Sequence, residues 1–429
     1  MKTNSPSRLP LRLFPVMFLV LSLPGCRSFV AEPQDFPLAI DTSDRPIAFQ
    51  ERKVYHSGGV YASNRFEGAR LNGFRQLDER TWEAFIAPEN RPINSSPWYA
   101  FQLWSDSART IRLLLRYDSA RHRYFPKISP NGQWWRPLDS TAFELLDTNV
   151  ALLTLRLQPD TLWLAAQELE TSGRVEAWCR SLALHPAVEW TTIDTSRLGN
   201  PLWMLDIGAG PRKGKDLIVL LGRQHPPEVT GWLALKAFLD EILGGDKRSR
   251  DFLRRYRLLV FPLMNPDGVD HGHWRHNAGG VDLNRDWAQY RQPETRAVAD
   301  AIVREAGKYK NRVLLGLDFH STFYDIFYTI SPENRPHSTL PHFTEQWLQT
   351  IQDAFPDEEI IERGRDEQRP VAKSWFFVHF GALGFTYEVG DDTPRERIRR
   401  KAQVAARSMM QLLLQPQTAP LAPKPLTGS

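Results

Sequence analysis

Apolar positions change rhythm along this chain near residue 160. From about 46 to 160 they alternate with polar ones in short runs. Trp98-Tyr-Ala-Phe-Gln-Leu-Trp104, Thr110-Ile-Arg-Leu-Leu-Leu-Arg116 and Val150-Ala-Leu-Leu-Thr-Leu-Arg-Leu157 are the clearest. A period of two marks strands with one buried face. Turn clusters such as Pro88-Glu-Asn-Arg-Pro92 and Ser129-Pro-Asn-Gly132 separate them. Short strands spaced by turns predict a β-sandwich over 46–160.

Beyond 160 the runs lengthen. Residues 162–184 have helical spacing. Asp216-Leu-Ile-Val-Leu-Leu-Gly222 is continuously apolar, the mark of a central strand covered on both faces. An amphipathic helix over 229–243 follows, closed by Gly244-Gly245. Further strands are predicted at 256–264, 313–318 and 385–389, with helices at 293–306 and 394–414. Strands alternating with helices predict an α/β fold. We therefore expect a mixed central sheet with helices on both faces, preceded by the β-sandwich domain. The α/β domain should span 161–415.

The ends add two segments. Lys2, Arg8 and Arg12 precede an apolar run from Leu13 to Leu23. Eleven residues are too few to span a bilayer as a helix, which needs about 20. The pattern predicts an export signal over 1–25. Leu23-Pro-Gly-Cys26 resembles a bacterial lipoprotein signal, with Cys26 lipidated and the protein facing the periplasm or the outside. Pro24 is unusual there, so ordinary secretion stays open. Residues 26–45 read as a polar tether, and 416–429 as a Pro-rich disordered tail.

Composition excludes more than it selects. Losing residues 1–25 removes three cations and no acid, taking the net charge from +4 to +1. That balance gives no reason to propose nucleic acid as a partner. Cys179 is then the only cysteine besides Cys26, so no disulfide is expected within the mature domain. Cys179 reads as a small buried hydrophobe. Trp134-Trp135 could be a sugar platform, but such pairs more often pack in or beside a core.

Candidate chemistry sits at predicted strand ends, where ligands collect in open α/β sheets. His225-Pro-Pro-Glu228 follows the first central strand, and His320 ends another. His-x-x-Glu alone says little, since 11 histidines and 50 acids make about one chance match in the chain. His342-Phe-Thr-Glu345 is such a match, placed at an ordinary helix start. His225, Glu228 and His320 together form a catalytic zinc set with an open fourth position, one Zn2+ per chain. Asp282 is the candidate to hold the ring of His225, and Asp318 a weaker one. Arg275 can polarise a scissile carbonyl. Asn284 and Arg285 can clamp a free carboxylate. Glu388 can serve as general base. His271, His273 and His276 could form a second metal site, but a solvated loop is the plainer reading.

The segment 215–415 resembles the M14 family of zinc carboxypeptidases, the carboxypeptidase A type. The motifs are His-x-x-Glu, Asn265-Pro-Asp-Gly268, Trp274-Arg275, Val281-Asp-Leu-Asn-Arg285, His320-Ser321 and Thr386-Tyr-Glu388, in that order. The resemblance implies zinc on His225, Glu228 and His320, Arg275 as carbonyl polariser, Asn284-Arg285 as carboxylate clamp and Glu388 as base. Arg65-Phe-Glu-Gly68, Asp318-Phe-His320 and a β domain ahead of the catalytic one resemble the cytosolic, tubulin-deglutamylating branch. Two departures stand out. The family's substrate-capping Tyr has no counterpart between 329 and 386; ungapped counting puts Asp366 there. Lys373 falls near the family's specificity position, where it would favour an acidic side chain, although it also reads as a helix-surface residue.

The residues thus predict a metallocarboxypeptidase acting on the C-termini of peptides or proteins. Trimming of cell-wall stem peptides and deacylation of N-acyl amino acids would use the same metal set. A non-enzymatic wall-binding protein would lack a ligand or the base, and neither is missing.

Overall fold

The computed structural model describes Met1 and residues 29–91, 93–365 and 367–416. The expected signal, Cys26, Asp366 and all but the first residue of the expected tail lie outside the described residues. Among the described residues, no helix is long and apolar enough to cross a membrane.

The N-terminal half is built from two facing sheets. One runs β1 (Val54–Ser57), β2 (Val60–Ser63), β5 (Ala100–Ser105), β11 (Leu162–Ala165), β7 (Lys127–Ser129), β8 (Arg136–Pro137). The other runs β3 (Gly73–Gln76), β4 (Thr81–Ile86), β6 (Arg109–Tyr117), β10 (Val150–Leu157), β9 (Phe143–Asp147). The alternation read from sequence is the packing pattern. In β6, Ile111, Leu113 and Leu115 are buried while Arg112 is exposed. These residues meet Phe101, Leu103 and Leu164 of the other sheet in one core. One expectation is corrected here. The helix read over 162–184 begins only at Ser172, as α1 (Ser172–Leu182); Leu162–Ala165 is strand β11, paired with β5 and β7. Its Leu-Trp-Leu run fits either period, and sheet partners decide it.

The second half holds an eight-stranded mixed sheet. Its order is β12 (Val188–Thr195), β13 (Pro201–Ile207), β15 (Tyr256–Phe261), β14 (Asp216–Gly222), β16 (Val313–Thr322), β19 (Leu383–Gly390), β17 (Ile326–Thr329), β18 (Glu362–Gly364). Strands β15, β14, β16 and β19 run parallel at its centre, and in the chain β15 lies between the short helices α3 (Lys247–Arg255) and α4 (Pro266–Asp270). Strand β14 shows why both faces are covered. Ile218 and Leu220 point into a core shared with α2 (Val229–Ile242) and α8 (Arg395–Leu414). Leu217, Val219 and Leu221 point into a second core with α5 (Pro293–Tyr309) and α7 (Ala372–Phe380).

Two glycines set the approaches that matter for the site. A Cβ on Gly231 of α2 would collide with the backbone of His320. A Cβ on Gly384 of β19 would collide with the carbonyl of Lys373. Small residues there let α2 and α7 lie directly against the strands carrying the candidate chemistry.

Residues 29–45 form no helix or strand, in line with the sequence, yet they are not a loose tether. Ala31 and Phe36 are buried in the α5–α7 core. Gln34 N–H donates to Ala288 O at 2.8 Å, and Gln292 Nε2 to Thr42 O at 2.8 Å. Two apolar side chains in a polar stretch anchor the segment; without periodicity they carry no signal in sequence.

Candidate metal centre and active site

Strand β14 ends at Gly222, and Arg223 turns the chain with φ of 54°. A left-handed backbone is costly for a non-glycine residue, so something must hold it. Arg223 is buried, and its guanidinium donates to Glu170 O at 3.1 Å and to Pro226 O. Burial lowers its pKa to about 10. Asn265 braces the same loop, donating from its side chain to Gln224 O at 3.2 Å while capping Gly268 N–H at 2.9 Å. Thus the Asn265-Pro-Asp-Gly268 motif supports the loop rather than the chemistry. The loop delivers His225, then Glu228 at the N-cap of α2. Thr230 and Gly231 dock α2 onto β16 through Ser321 Oγ, at 2.8 and 2.9 Å.

This docking brings three donors together. Nδ1 of His225 lies 2.8 Å from Glu228 Oε1, and Nδ1 of His320 lies 2.7 Å from Glu228 Oε2. All three donor atoms lie within 4.8 Å of one another, and this is the one such cluster among the described residues. The far nitrogens are fixed by carboxylates. His225 Nε2 meets Asp282 Oδ1 at 2.9 Å, and His320 Nε2 meets Asp318 Oδ2 at 2.7 Å. Gln224 Nε2 donates to the same Asp318 oxygen at 2.7 Å and is itself held by Trp287 Nε1 at 3.0 Å. Each ring therefore turns Nδ1 inward, as carboxylate–histidine pairs do at metal sites.

The electrostatics favour a cation. Burial opposes charge on His320, but Asp318 and Glu228 outweigh it and raise its pKa well above the ordinary value. Burial likewise opposes ionised Glu228, yet His225 and His320 hold it below the usual range. Two imidazoles and one carboxylate, converging and backed by further acids, fit zinc with a fourth position open.

Arg275 and Asn284-Arg285 border this centre. Arg275 Nε donates to Asp282 Oδ2 at 2.7 Å, and the residue lines the same cavity as the triad. Burial lowers its pKa, but Asp282 and Glu228 more than compensate and the net shift is upward. Arg285 Nη1 donates to Asn284 O at 2.8 Å and lies 3.8 Å from Asp282 Oδ2. Asn284 Oδ1 accepts from Ala372 N–H at 2.9 Å, which ties this pair to α7. The next residue, Lys373, is buried and reaches back to Arg365 O. It faces the cavity rather than the helix surface.

The His225–Glu228–His320 triad, Arg275, Asn284, Arg285 and Lys373 line one cavity of about 430 Å³. Glu388, paired in register with His320 on β19, is part of its wall. Its Oε2 is buried without a hydrogen-bond partner. Burial first, then Glu228 and Asp318, push its pKa up to about 7 against the opposing histidines. A proton acceptor beside the triad is what a general base requires.

Sequence reasoning missed several lining residues. Arg123 comes from the β layers and contacts the catalytic half across 268 residues. Its Nε donates to Asp391 Oδ2 at 2.7 Å, and it stacks on Trp274 with 4.9 Å to the ring centroid. Tyr328 of β17, Arg365 and Arg369 also line the cavity. Tyr328 stands one residue before the 329–386 stretch that lacks a tyrosine, and the β17–β19 pairing sets it opposite Thr386, two residues from Glu388.

Other sequence candidates do not join the site. His271, His273 and His276 form no metal cluster, and neither is their loop solvated. His273 and His276 are buried, with His273 Nδ1 3.0 Å from His276 O and His276 Nδ1 2.7 Å from Asn90 Oδ1. The β layers cover them, which local polarity could not reveal. His342 begins helix α6 (Phe343–Ala354), and Glu345 pairs with Arg335 at 2.6 Å. Trp135 packs on the sandwich core while Trp134 is exposed. Cys179 is buried, its thiol pushed up to about 12 by burial.

Comparison with known proteins agrees with this geometry. The family model described as zinc carboxypeptidase matches residues 175–408. The chain is 38% identical over 131 residues to human cytosolic carboxypeptidase-like protein 5, covering 30% of this chain and 13% of that protein. It is 21% identical over 291 residues to Caenorhabditis elegans cytosolic carboxypeptidase 6, covering 62% of each. The chain thus spans less than two thirds of the length of these relatives. Among solved structures, a metallo-carboxypeptidase from Burkholderia cenocepacia matches with a TM-score of 0.70 at 21% identity, over 83% of this chain and all of that one. At that identity the likeness speaks for the fold, both halves included.

Proposed function

Because this chain belongs to the M14 zinc carboxypeptidase family, we propose that it is a zinc-dependent enzyme that hydrolyses the last peptide bond of peptides or proteins, with a preference for acidic C-terminal residues. One observation carries the reading. The His225–Glu228–His320 triad shares its cavity with Glu388 and with Arg123, Arg275, Arg285, Arg365, Arg369 and Lys373. Six basic side chains around a metal triad suit an anionic substrate.

His225, Glu228 and His320 would hold the zinc, which when bound supplies Lewis acidity to the carbonyl and to water. Asn284 and Arg285 receive the terminal carboxylate. Lys373, at the start of α7 beside that clamp, meets an acidic terminal side chain. Arg275 donates to the oxygen of the scissile carbonyl as negative charge develops there. Glu388 takes a proton from the attacking water and then delivers it to the departing amine.

Membrane tethering through Cys26 belongs to the same proposal and is supported by sequence alone. Cys26→Ser should move the protein out of the detergent phase.

The test is direct. Purified zinc-loaded protein is incubated with a library of free-acid peptides, and the products are read by mass spectrometry. Shortening by one residue, fastest for terminal Glu or Asp, is expected. Internal cleavage, or no cleavage of any member, overturns the reading.

A further inference from the structure

The segment Trp274-Arg275-His276 is held from outside its own half of the molecule. Glu89, in the turn that follows β4 of the sandwich, is fully buried. Its Oε1 accepts from the backbone N–H of Arg275 and of His276, both at 3.1 Å, and its Oε2 accepts from that of Trp274, also at 3.1 Å. Asn94 Nδ2 donates to Oε1 at 2.8 Å. Three successive amides turned toward one point form an anion-binding concavity. An ionised carboxylate satisfies them with charge-assisted bonds. Burial works against that charge, but His273, Arg70 and the amides prevail and hold Glu89 below the usual carboxylate range.

Neighbouring residues extend the grip. Asn90 Oδ1 faces His276 Nδ1 at 2.7 Å, and Asn90 Nδ2 donates to Gly280 O at 3.1 Å. A simple latch between the two halves could grasp any stretch of this loop. Glu89 grasps the amide of Arg275 itself and of both its neighbours. At the other end of the same residue, Asp282 holds Nε at 2.7 Å. Backbone and Nε are thus both fixed by carboxylates, which leaves the guanidinium of this cavity-lining residue little freedom.

We propose that Glu89, supplied by the β-sandwich, is a positioning residue that aims the guanidinium of Arg275 at the scissile carbonyl. The proposal rests on the peptidase reading for the task Arg275 performs. It makes the sandwich a working part of the active site rather than an appended module. Misplacement of a catalytic group by about 1 Å can cost roughly 10²-fold in rate, so the effect should be large although Glu89 touches no substrate.

Glu89→Gln keeps the shape but sets an amide N–H2 against a backbone N–H. In the full-length zinc-loaded protein it should lower kcat roughly 10- to 100-fold, with KM and zinc content little changed. Glu89→Asp, which keeps the charge, should recover part of the loss. In an Arg275→Ala background Glu89→Gln should cost nothing further, because the two act as one unit. Hydrogen exchange of the amides of Trp274, Arg275 and His276 should quicken in Glu89→Gln while that of strand β14 does not. Unchanged exchange, an unchanged kcat, or a full additional loss in the Arg275→Ala background would each overturn the proposal. Should Glu89→Gln fail to fold, Glu89→Asp is read by the same three measurements. A wild type inactive on every free-acid peptide would sink the peptidase reading instead, and exchange would still decide whether Glu89 holds the loop.

Discussion

Asp282 Oδ1 lies 2.9 Å from Nε2 of His225. Its other oxygen takes Nε of Arg275 at 2.7 Å. One carboxylate therefore orients an imidazole of the His225–Glu228–His320 triad and a guanidinium of the cavity wall. It also caps the turn that presents the clamp, accepting from Asn284 N–H at 2.9 Å.

Asp282→Asn should weaken both tasks. An amide cannot accept from the imidazole and the guanidinium at once with both of its ends. Partners of this kind typically contribute about 10- to 100-fold in metal affinity or activity. Zinc affinity, measured by competition with a chromophoric chelator, should fall by that order. An affinity equal to wild type would detach Asp282 from the metal site.

The wild type should bind one zinc per chain, and His320→Ala should lose most of it on dialysis. Glu228 and Asp318 each lose a partner in this variant, at 2.7 Å in both cases. Metal content by mass spectrometry checks this. Full retention would rule out the triad.

Glu388→Gln should keep its zinc and its fold but turn over slowly. General base catalysis contributes typically about 10²–10⁴-fold. The unsatisfied, buried Oε2 marks where the proton would go. Near-normal kcat would remove Glu388 from the mechanism.

Much of this was legible in sequence for a local reason. His225, Glu228, His320 and Glu388 all sit at the ends of apolar runs, and parallel strands align such ends. Strand β14 has a run so continuous that only a doubly covered position accommodates it. What stayed hidden depends on distant contacts. Helix α7 is apolar almost all round, so no period announces it. Strand β12 mixes polar and apolar residues without a clear period, and Asp206 interrupts the short apolar run of β13. Arg123 and Glu89 sit in polar stretches of the sandwich, and nothing near them in the chain hints at a partner some 190 to 270 residues away.

Substrate charge can be probed from both halves of the molecule. Arg123→Ala should slow peptides rich in acidic residues more than neutral ones. A charge-assisted hydrogen bond contributes about 1.5–3 kcal/mol, so a loss of roughly tenfold or more is expected. Lys373→Glu should shift the preferred terminal residue from acidic to basic. Equal rates on acidic and neutral peptides in wild type would refute the preference, and an unchanged profile in both variants would assign it to other residues.

The free carboxylate is the last requirement. Asn284 and Arg285 stand at the cavity wall beside the triad, with Asn284 tied to α7 and Arg285 Nη1 donating to the backbone carbonyl of Asn284. Amidating the peptide removes the charge they would receive. Breaking a desolvated charge pair costs about 2–5 kcal/mol. The side chain of Arg285 is 28% exposed, and water screens part of that, which points to the lower end. About 2 kcal/mol is roughly 30-fold in kcat/KM. Arg285→Ala should show a similar loss on the free acid and little further loss on the amide, since both changes delete one interaction. Equal cleavage of acid and amide by the wild type would dissolve the clamp. The same triad, base and arginine would then describe a hydrolase that does not read chain ends, and the acidic preference would have to be explained by Arg123, Arg365, Arg369 and Lys373.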